Sequence, residues 1–337
     1  MPVDALLATY FPGGGWKAEA GLAGLNNTTR YVTVGGQRLV LRIYETHRDA
    51  GKIAFEHALL AELATRDTAF RVPVPLAHPS GATFAKLEDG SGRFGCLFRY
   101  LEGERPDSAN GRTAEAVGET VGELSLNLAA VRIDLPPQYP PYYEMDAAHP
   151  SCPQERIAAF CAAPPLAFRG QRAELMLLAE RLRQFRAVAP KLRGLPHQLV
   201  HGDVNDSNLL AETGRPDRIA AVLDFEFCTR DVRAMEPAVV LSGLLDTEGA
   251  ADAMTAFADG FRRRVRLLPE EAEAILPLVE LRKLDVFVHF LGRRLDGVDG
   301  EETLRQQIDS AANGLNSLQR RAGQVIACCR RLVANGA

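Results

Sequence analysis

Between Arg30 and Tyr44 the chain reads as two strand-forming runs around Gly35-Gly36, and a two-glycine turn supplies the positive backbone angles of a tight hairpin. In the second run Leu39, Leu41 and Ile43 share one face while Val40, Arg42 and Tyr44 share the other, since strand side chains alternate. A cation therefore stands mid-strand beside an apolar residue. From about Ala50 to Thr65 the period changes to that of a helix, with Ile53, Glu56, Leu60 and Leu63 on one side and Glu56 the odd polar member. Val72-Pro73-Val74-Pro75 ends that helix and begins an extended segment, and Gly95 to Leu101 reads as a buried strand running into Glu102-Gly103-Glu104. Beyond it helical periods dominate: Thr113 to Ala130, Gln171 to Phe185, Ala250 to Val265, Glu270 to Leu295 and Glu302 to Val333. The pattern predicts an α+β chain. Its smaller first lobe, residues 1–101, is an antiparallel sheet with a helix, and its larger second lobe, residues 102–337, is mainly α-helical.

Two stretches interrupt the helical part. Between Leu135 and Pro150 a Pro/Tyr-rich run forbids regular helix and is either a spacer loop, the plainer reading, or part of a substrate wall. Further on, Asn208-Leu209-Leu210 and Ile219 to Leu223 read as two short strands joined by Thr213-Gly214-Arg215-Pro216-Asp217, a hairpin that brings Asn208 and Asp224 together at one end.

With 337 residues, 46% of them hydrophobic, the chain can bury a large core and favours two lobes over one. A net charge of −4 gives no long-range attraction for nucleic acid or an anionic membrane, so neither partner is expected. The six cysteines, Cys96, Cys152, Cys161, Cys228, Cys328 and Cys329, are scattered without metal-ligand spacing. They accompany no secretion signal: Asp4 and the Gly13-Gly14-Gly15 run stand where a basic start and an apolar centre would be needed. No stretch reaches the roughly 18 apolar residues of a membrane span, and the expectation is a cytoplasmic protein with reduced thiols. Arg262-Arg263-Arg264-Val265-Arg266 reads as a solvated helix face that complements the helix C-terminal dipole. The histidines His47, His57, His78, His149, His197 and His289 are dispersed and read as surface or core residues.

The candidate chemistry lies in His201-Gly202-Asp203-Val204-Asn205-Asp206-Ser207-Asn208, followed by Val222-Leu223-Asp224-Phe225. Phosphoryl transfer needs a cation on the phosphates, oxygen ligands for magnesium and a group that orients the nucleophile. Asp203 is the candidate base for an acceptor hydroxyl, and Asn208 and Asp224 are candidate oxygen ligands for Mg2+. An isolated Asp among Gly, Asn and Ser would be a turn or helix cap; Asn208 and Asp224 beside it make the functional reading the better one. Arg42 and Glu56 form a second constellation, a strand cation and a helix carboxylate on otherwise apolar faces.

These motifs resemble the aminoglycoside phosphotransferase and type II homoserine kinase family. The shared pattern is a His-Gly-Asp, an Asn five residues past the Asp, and a hydrophobic-Asp-Phe further on. The resemblance implies a two-lobed protein-kinase-like fold, with a five-stranded sheet in the first lobe and a cleft between the lobes. It implies that His201 supports the catalytic-loop backbone, that Asp231 helps tie down the loop after Asp224, and that Glu236 stands where an anchoring Asp is usual. Arg42, held by Glu56, takes the place of the usual Lys over the α- and β-phosphates; Arg keeps the charge but differs in shape. Gly21 to Thr29, including Asn27, becomes the loop over the phosphates, and adenine packs against Val40 and the Leu97 to Leu101 strand, with Tyr100 and Leu101.

The implied activity is transfer of the γ-phosphate of ATP, with Mg2+, to a hydroxyl of a small molecule. The acceptor is most like that of a homoserine or other amino-alcohol kinase, with aminoglycoside, choline-type or hydroxylysine-type acceptors as alternatives. Two readings from other classes stand beside it. One is a silent nucleotide-binding module, for which Arg42 is the best support; the other is a metal-dependent phosphohydrolase, which needs more histidines near His201 and Asp203 than the chain offers. Glu226, Asp206 and Asp246 could receive an amine and Arg230 or Arg233 a carboxylate, but no spacing rule selects among them. Monomer and homodimer are both compatible with the chain.

Overall fold

The computed structural model describes residues 2–21, 27–45 and 48–333. The first element is a nine-residue helix, α1 (Pro2–Tyr10), followed by β1 (Trp16–Ala20), β2 (Asn27–Val34), β3 (Gln37–Tyr44), α2 (Ala50–Leu63), β4 (Ala85–Lys86) and β5 (Phe94–Arg99). The strands form one five-stranded sheet in the order β1-β2-β3-β5-β4, antiparallel throughout. The Gly35-Gly36 hairpin pairs Val34 with Gln37, and both glycines have positive φ. Alternation in β3 sorts two cores. Leu39, Leu41 and Ile43 pack with Val3, Leu6, Leu7 and Tyr10 of α1 on the outer face. Tyr44, Cys96 and Phe98 face inward, where they join Ile53, Leu59 and Leu60 of α2 in a core that continues into the second lobe.

That lobe contains α3 (Gly111–Ala130), α4 (Met145–Ala148), α5 (Gln154–Ala162), α6 (Arg172–Leu192), β6 (His197–Val200), β7 (Leu209–Glu212), β8 (Arg215–Val222), β9 (Thr229–Val232), α7 (Met235–Leu244), α8 (Ala250–Phe261), α9 (Pro269–Leu295) and α10 (Glu301–Leu332). Helix α3 starts where Asn110 accepts a hydrogen bond from the Arg112 amide at 3.0 Å, a side-chain cap of the usual kind. The β7–β8 hairpin is paired on both outer edges by segments arriving from the sheet lobe. Glu104 exchanges backbone hydrogen bonds with Ala211 on β7 at 3.0 and 2.8 Å, and Arg71 bonds Ala220 and Val222 on β8 at 2.9 Å each. Gly103 makes the first of these contacts possible, since at its φ of +153° a Cβ would stand 2.6 Å from the Ala211 carbonyl oxygen.

Two expectations are corrected. The helix read as Ala250 to Val265 ends at Phe261, because Leu267 is drawn into a bridge with Val333 and Pro269 opens α9. The basic run therefore stays solvent-exposed but follows the helix instead of lying on its face: Arg263 and Arg264 reach across to α3, where Arg263 meets Glu115 and Arg264 meets Glu119 at 2.9 Å. The strand read as Gly95 to Leu101 stops at Arg99, and Tyr100 and Leu101 follow it as half-buried connecting residues. All six cysteines are buried free thiols. Among the described residues no helix is long and apolar enough to cross a membrane.

Candidate active site

Strand β6 delivers the chain into the loop that starts at His201, whose side chain is fully buried. Its Nε2 donates to the Leu223 carbonyl at 2.9 Å and its Nδ1 accepts the Asp203 amide at 3.2 Å. The two partners set the tautomer, with the proton on Nε2. The ring also lies against Phe225, with centroids 4.6 Å apart. The His201 amide donates to Glu236 on α7, so Glu at this position still bonds the loop backbone. Burial raises the Glu236 carboxyl above its ordinary range, against the opposing effect of His201.

Asp231 meets the loop indirectly. Its carboxylate accepts the amides of Tyr142 and Val232, both at 2.6 Å, and the Tyr142 ring lies where a Cβ on Gly202 would come within 2.6 Å of it. The Pro/Tyr-rich run thus borders the His201–Asp203 loop instead of serving only as a spacer. Burial pushes the Asp231 carboxyl from 3.8 up to about 7, against those two amide bonds. Asp231→Asn would put an amide NH2 against one of the two N–H donors, at a cost of about 1–3 kcal/mol. Between 3.8 and about 7 the folded protein holds a proton at Asp231 that the unfolded chain has released, so this group's contribution to stability falls as pH rises. Urea unfolding is expected to show the gap between wild type and Asp231→Asn narrowing from about pH 5 to about pH 8; a pH-independent gap contradicts it.

Asp203 is enclosed by donors. Asn205 Nδ2 donates to its carbonyl at 3.0 Å and to Oδ1 at 3.2 Å, and Asn208 Nδ2 donates to the carbonyl at 2.9 Å and to Oδ2 at 3.0 Å. The guanidinium of Arg282, from α9, also donates to Oδ1. Asn208 sits at the open end of the β7–β8 hairpin, where Leu209 pairs with Val222 and the Leu223 amide donates to the Asn208 carbonyl at 2.8 Å. That register brings Asp224 beside Asn208, as the turn pattern predicts.

Asp224 has φ +63°, alone in the left-handed region among the described non-glycine residues. Its Oδ1 is buried without a hydrogen-bond partner, although the Arg42 guanidinium stands 3.3 Å away. Burial raises its carboxyl above the ordinary range and Glu226 and Asp203 add to the rise, while Arg42 opposes it. Arg42 also meets Glu56 at 3.0 Å, and Tyr44 donates to the other Glu56 oxygen at 2.8 Å. Burial works against the Arg42 charge, but Asp224 and Glu56 outweigh it and keep the pKa well above normal. Glu56 is pushed up to about 7 by burial, with Arg42 pulling the other way. The Asn27 side chain donates to Glu226 at 2.8 Å, tying the start of β2 to the segment after Asp224. Val40 is half-buried in a row with Tyr31 and Phe98. Residues 22–26 of the expected phosphate loop, and His47, lie outside the described residues.

The structure thus gathers Arg42, Glu56, Asp203, Asn208 and Asp224, with His201 behind them. Three of the acceptor-side candidates are already engaged: Arg233 forks onto Glu271 at 2.5 and 2.6 Å, Asp206 accepts the Ser108 amide at 3.0 Å, and Glu226 accepts from Asn27. What the sequence reading missed is the polar face of α9. Arg282, Asp285 and His289 share one face of it, and His149 Nε2 lies 2.6 Å from Asp285 Oδ1. Burial works to raise the Asp285 carboxyl, but His149 and Arg282 overcome it and hold it below the usual range. Burial lowers His289 to about 4. The available signal was a set of polar residues at helical spacing among buried Leu281, Leu284, Phe287, Val288 and Leu291.

A sheet lobe over a helical lobe, a cation held by a helix carboxylate, and a carboxylate loop beside an Asn/Asp hairpin define a kinase-like phosphotransferase. The chain belongs to the phosphotransferase enzyme family, whose pattern matches residues 18–274. It is a small-molecule phosphotransferase with an alcohol group as acceptor. It is 26% identical over 279 residues to the homoserine kinase of Beijerinckia indica, covering 81% of this chain and 79% of that one. With the homoserine kinase of Methylobacterium sp. (strain 4-46) it shares 27% over 238 residues, 71% of this chain and 67% of the relative. Among solved structures, a microcompartment-associated aminopropanol kinase superposes with a TM-score of 0.69 at 17% identity, covering 96% of this chain and 97% of that one. The amicoumacin kinase in complex with AMP-PNP, Ca2+ and Ami gives 0.68 at 17% identity, with 92% of each chain covered.

Proposed function

We propose that the protein transfers the γ-phosphoryl group of ATP, in the presence of Mg2+, to the hydroxyl of a small amino alcohol of the homoserine type. The observation that carries this is the placement of Asp203 beside the Asn208 and Asp224 end of one hairpin, with Arg42 reaching Asp224 from the sheet. Relatives named homoserine kinases support the acceptor class.

In this reading residues 1–101 form the nucleotide side and residues 102–337 supply the catalytic loop and the acceptor pocket. Val40, Tyr100 and Leu101 border the adenine. Arg42, oriented by Glu56, neutralises charge on the α- and β-phosphates, and Asn27 steadies the base of the phosphate loop through Glu226. Asp203 accepts the proton of the acceptor hydroxyl as the new P–O bond forms. His201 holds the loop backbone and Asp231 supports it through Tyr142. Asn208 and Asp224 would hold Mg2+, which supplies positive charge beside the transferring phosphate when bound. The residues fit a hard cation that keeps phosphate and water among its ligands. Asp224 offers a buried oxygen that accepts no hydrogen bond and faces Arg42 at 3.3 Å, and Asn208, its Nδ2 committed to Asp203, offers its side-chain Oδ1.

The test is an ADP-release screen over L-homoserine, other amino alcohols, sugars and aminoglycosides, with and without EDTA. Acceptor-dependent ADP release that EDTA abolishes is expected, strongest with L-homoserine. Turnover of another acceptor with none of homoserine removes the acceptor assignment, and acceptor-independent rates throughout remove the kinase.

A further inference from the structure

Arg282 is a cation placed on the proposed base. Its guanidinium donates to Asp203 Oδ1, and Nη1 stands 3.8 Å from Asp285 Oδ2 on its own helix. Arg282 and Asp203 side chains are each 22% exposed, so neither is sealed from solvent. A carboxylate has about four acceptor positions. On Asp203 they meet Arg282 and Asn205 at Oδ1 and Asn208 at Oδ2.

We propose that Arg282 reads the carboxylate of the acceptor, so that the preferred substrates are hydroxylated α-amino acids and not amino alcohols lacking that group. The assignment rests on the kinase reading above and narrows its acceptor. A substrate carboxylate offers the guanidinium a bidentate partner, and Arg282 turning to it releases Asp203 Oδ1 as the hydroxyl arrives. Asp285 makes the exchange feasible. It stays beside the guanidinium in either position and is itself fixed by His149 at 2.6 Å, so Arg282 is never left without a nearby anion. Binding of the acceptor and release of the base are then one event. An amino alcohol with no carboxylate leaves Arg282 on Asp203 and is phosphorylated slowly even when it binds.

The experiment compares L-homoserine with 3-aminopropan-1-ol, the same skeleton without the carboxylate, in wild type, Arg282→Gln and Arg282→Lys. Wild type is expected to favour L-homoserine in kcat/KM by about 100-fold or more, as a site built around a polar group rejects the analogue lacking it. In Arg282→Gln the preference collapses to within about tenfold of unity, through a higher KM for L-homoserine and a higher kcat for 3-aminopropan-1-ol. Arg282→Lys is expected to keep an intermediate preference, since it retains the charge without the fork, and it gives the same readout should Arg282→Gln fail to fold. Equal wild-type kcat/KM for both acceptors, loss of the same factor on both in Arg282→Gln, or turnover confined to acceptors without a carboxylate overturns the assignment and leaves the kinase standing. Absence of ADP release with every hydroxyl acceptor removes the kinase reading itself.

Discussion

Asp203→Asn is expected to lower kcat by about 10^2- to 10^4-fold, the range for removing a positioned general base, with the KM for ATP close to that of wild type. The split follows from where Asp203 sits. It bonds Asn205, Asn208 and Arg282, all in the helical lobe, and the pair formed by Arg42 of β3 and Glu56 of α2 makes no bond to it. Nucleotide affinity that depends on the sheet should therefore survive. The substituted amide can still accept from Arg282 through its oxygen, so the loop keeps that tie while losing the proton acceptor. Initial rates at saturating acceptor with ATP varied provide the check. A loss of less than about tenfold in kcat would mean that the hydroxyl proton goes elsewhere.

Asp224→Asn should produce a protein that is nearly inactive and at least as stable as wild type. Removing one preorganised charge from a transition-state site typically costs about 10^2- to 10^3-fold, and here the apparent Mg2+ requirement should rise with it. Stability moves the other way. Burial, Glu226 and Asp203 disfavour the Asp224 carboxylate more than Arg42 favours it, and Asn accepts left-handed backbone as readily as Asp does. Arg42 keeps Glu56 at 3.0 Å as its counter-ion. A thermal melt beside a Mg2+ titration of activity separates the two effects. Wild-type rates at wild-type Mg2+, or a melting temperature several degrees lower, would contradict the role given to Asp224. Loss of function with gain of stability is the expected mark of a strained site.

How far the sequence could be read depended on the range of the contacts. The Gly35-Gly36 hairpin, the buried face of α2 and the Asn208 to Asp224 turn are set by neighbours a few residues apart, and period and turn chemistry reveal them. Helix α1 has nine residues and depends on packing against Leu39, Leu41 and Ile43, and short helices have little intrinsic signal. The same limit hid β9, which pairs with β6 through Gln198 and Asp231. In the site, Asp203, Asn208 and Asp224 share one short stretch and were legible together. Arg282 meets Asp203 across 79 residues and His149 meets Asp285 across 136, so each looked like an ordinary surface or core residue. The pairing of the arginines after α8 was hidden for the same reason, since Glu115 and Glu119 lie nearly 150 positions earlier.

The hairpin that carries Asn208 and Asp224 has a pairing partner on each edge, Glu104 against β7 and Arg71 against β8. Four main-chain hydrogen bonds therefore clamp the two edges of the ribbon, and the spacing of Asn208 and Asp224 follows from its register. Amide exchange at Glu104, Arg71, Ala211 and Val222 should accordingly be slow and concerted.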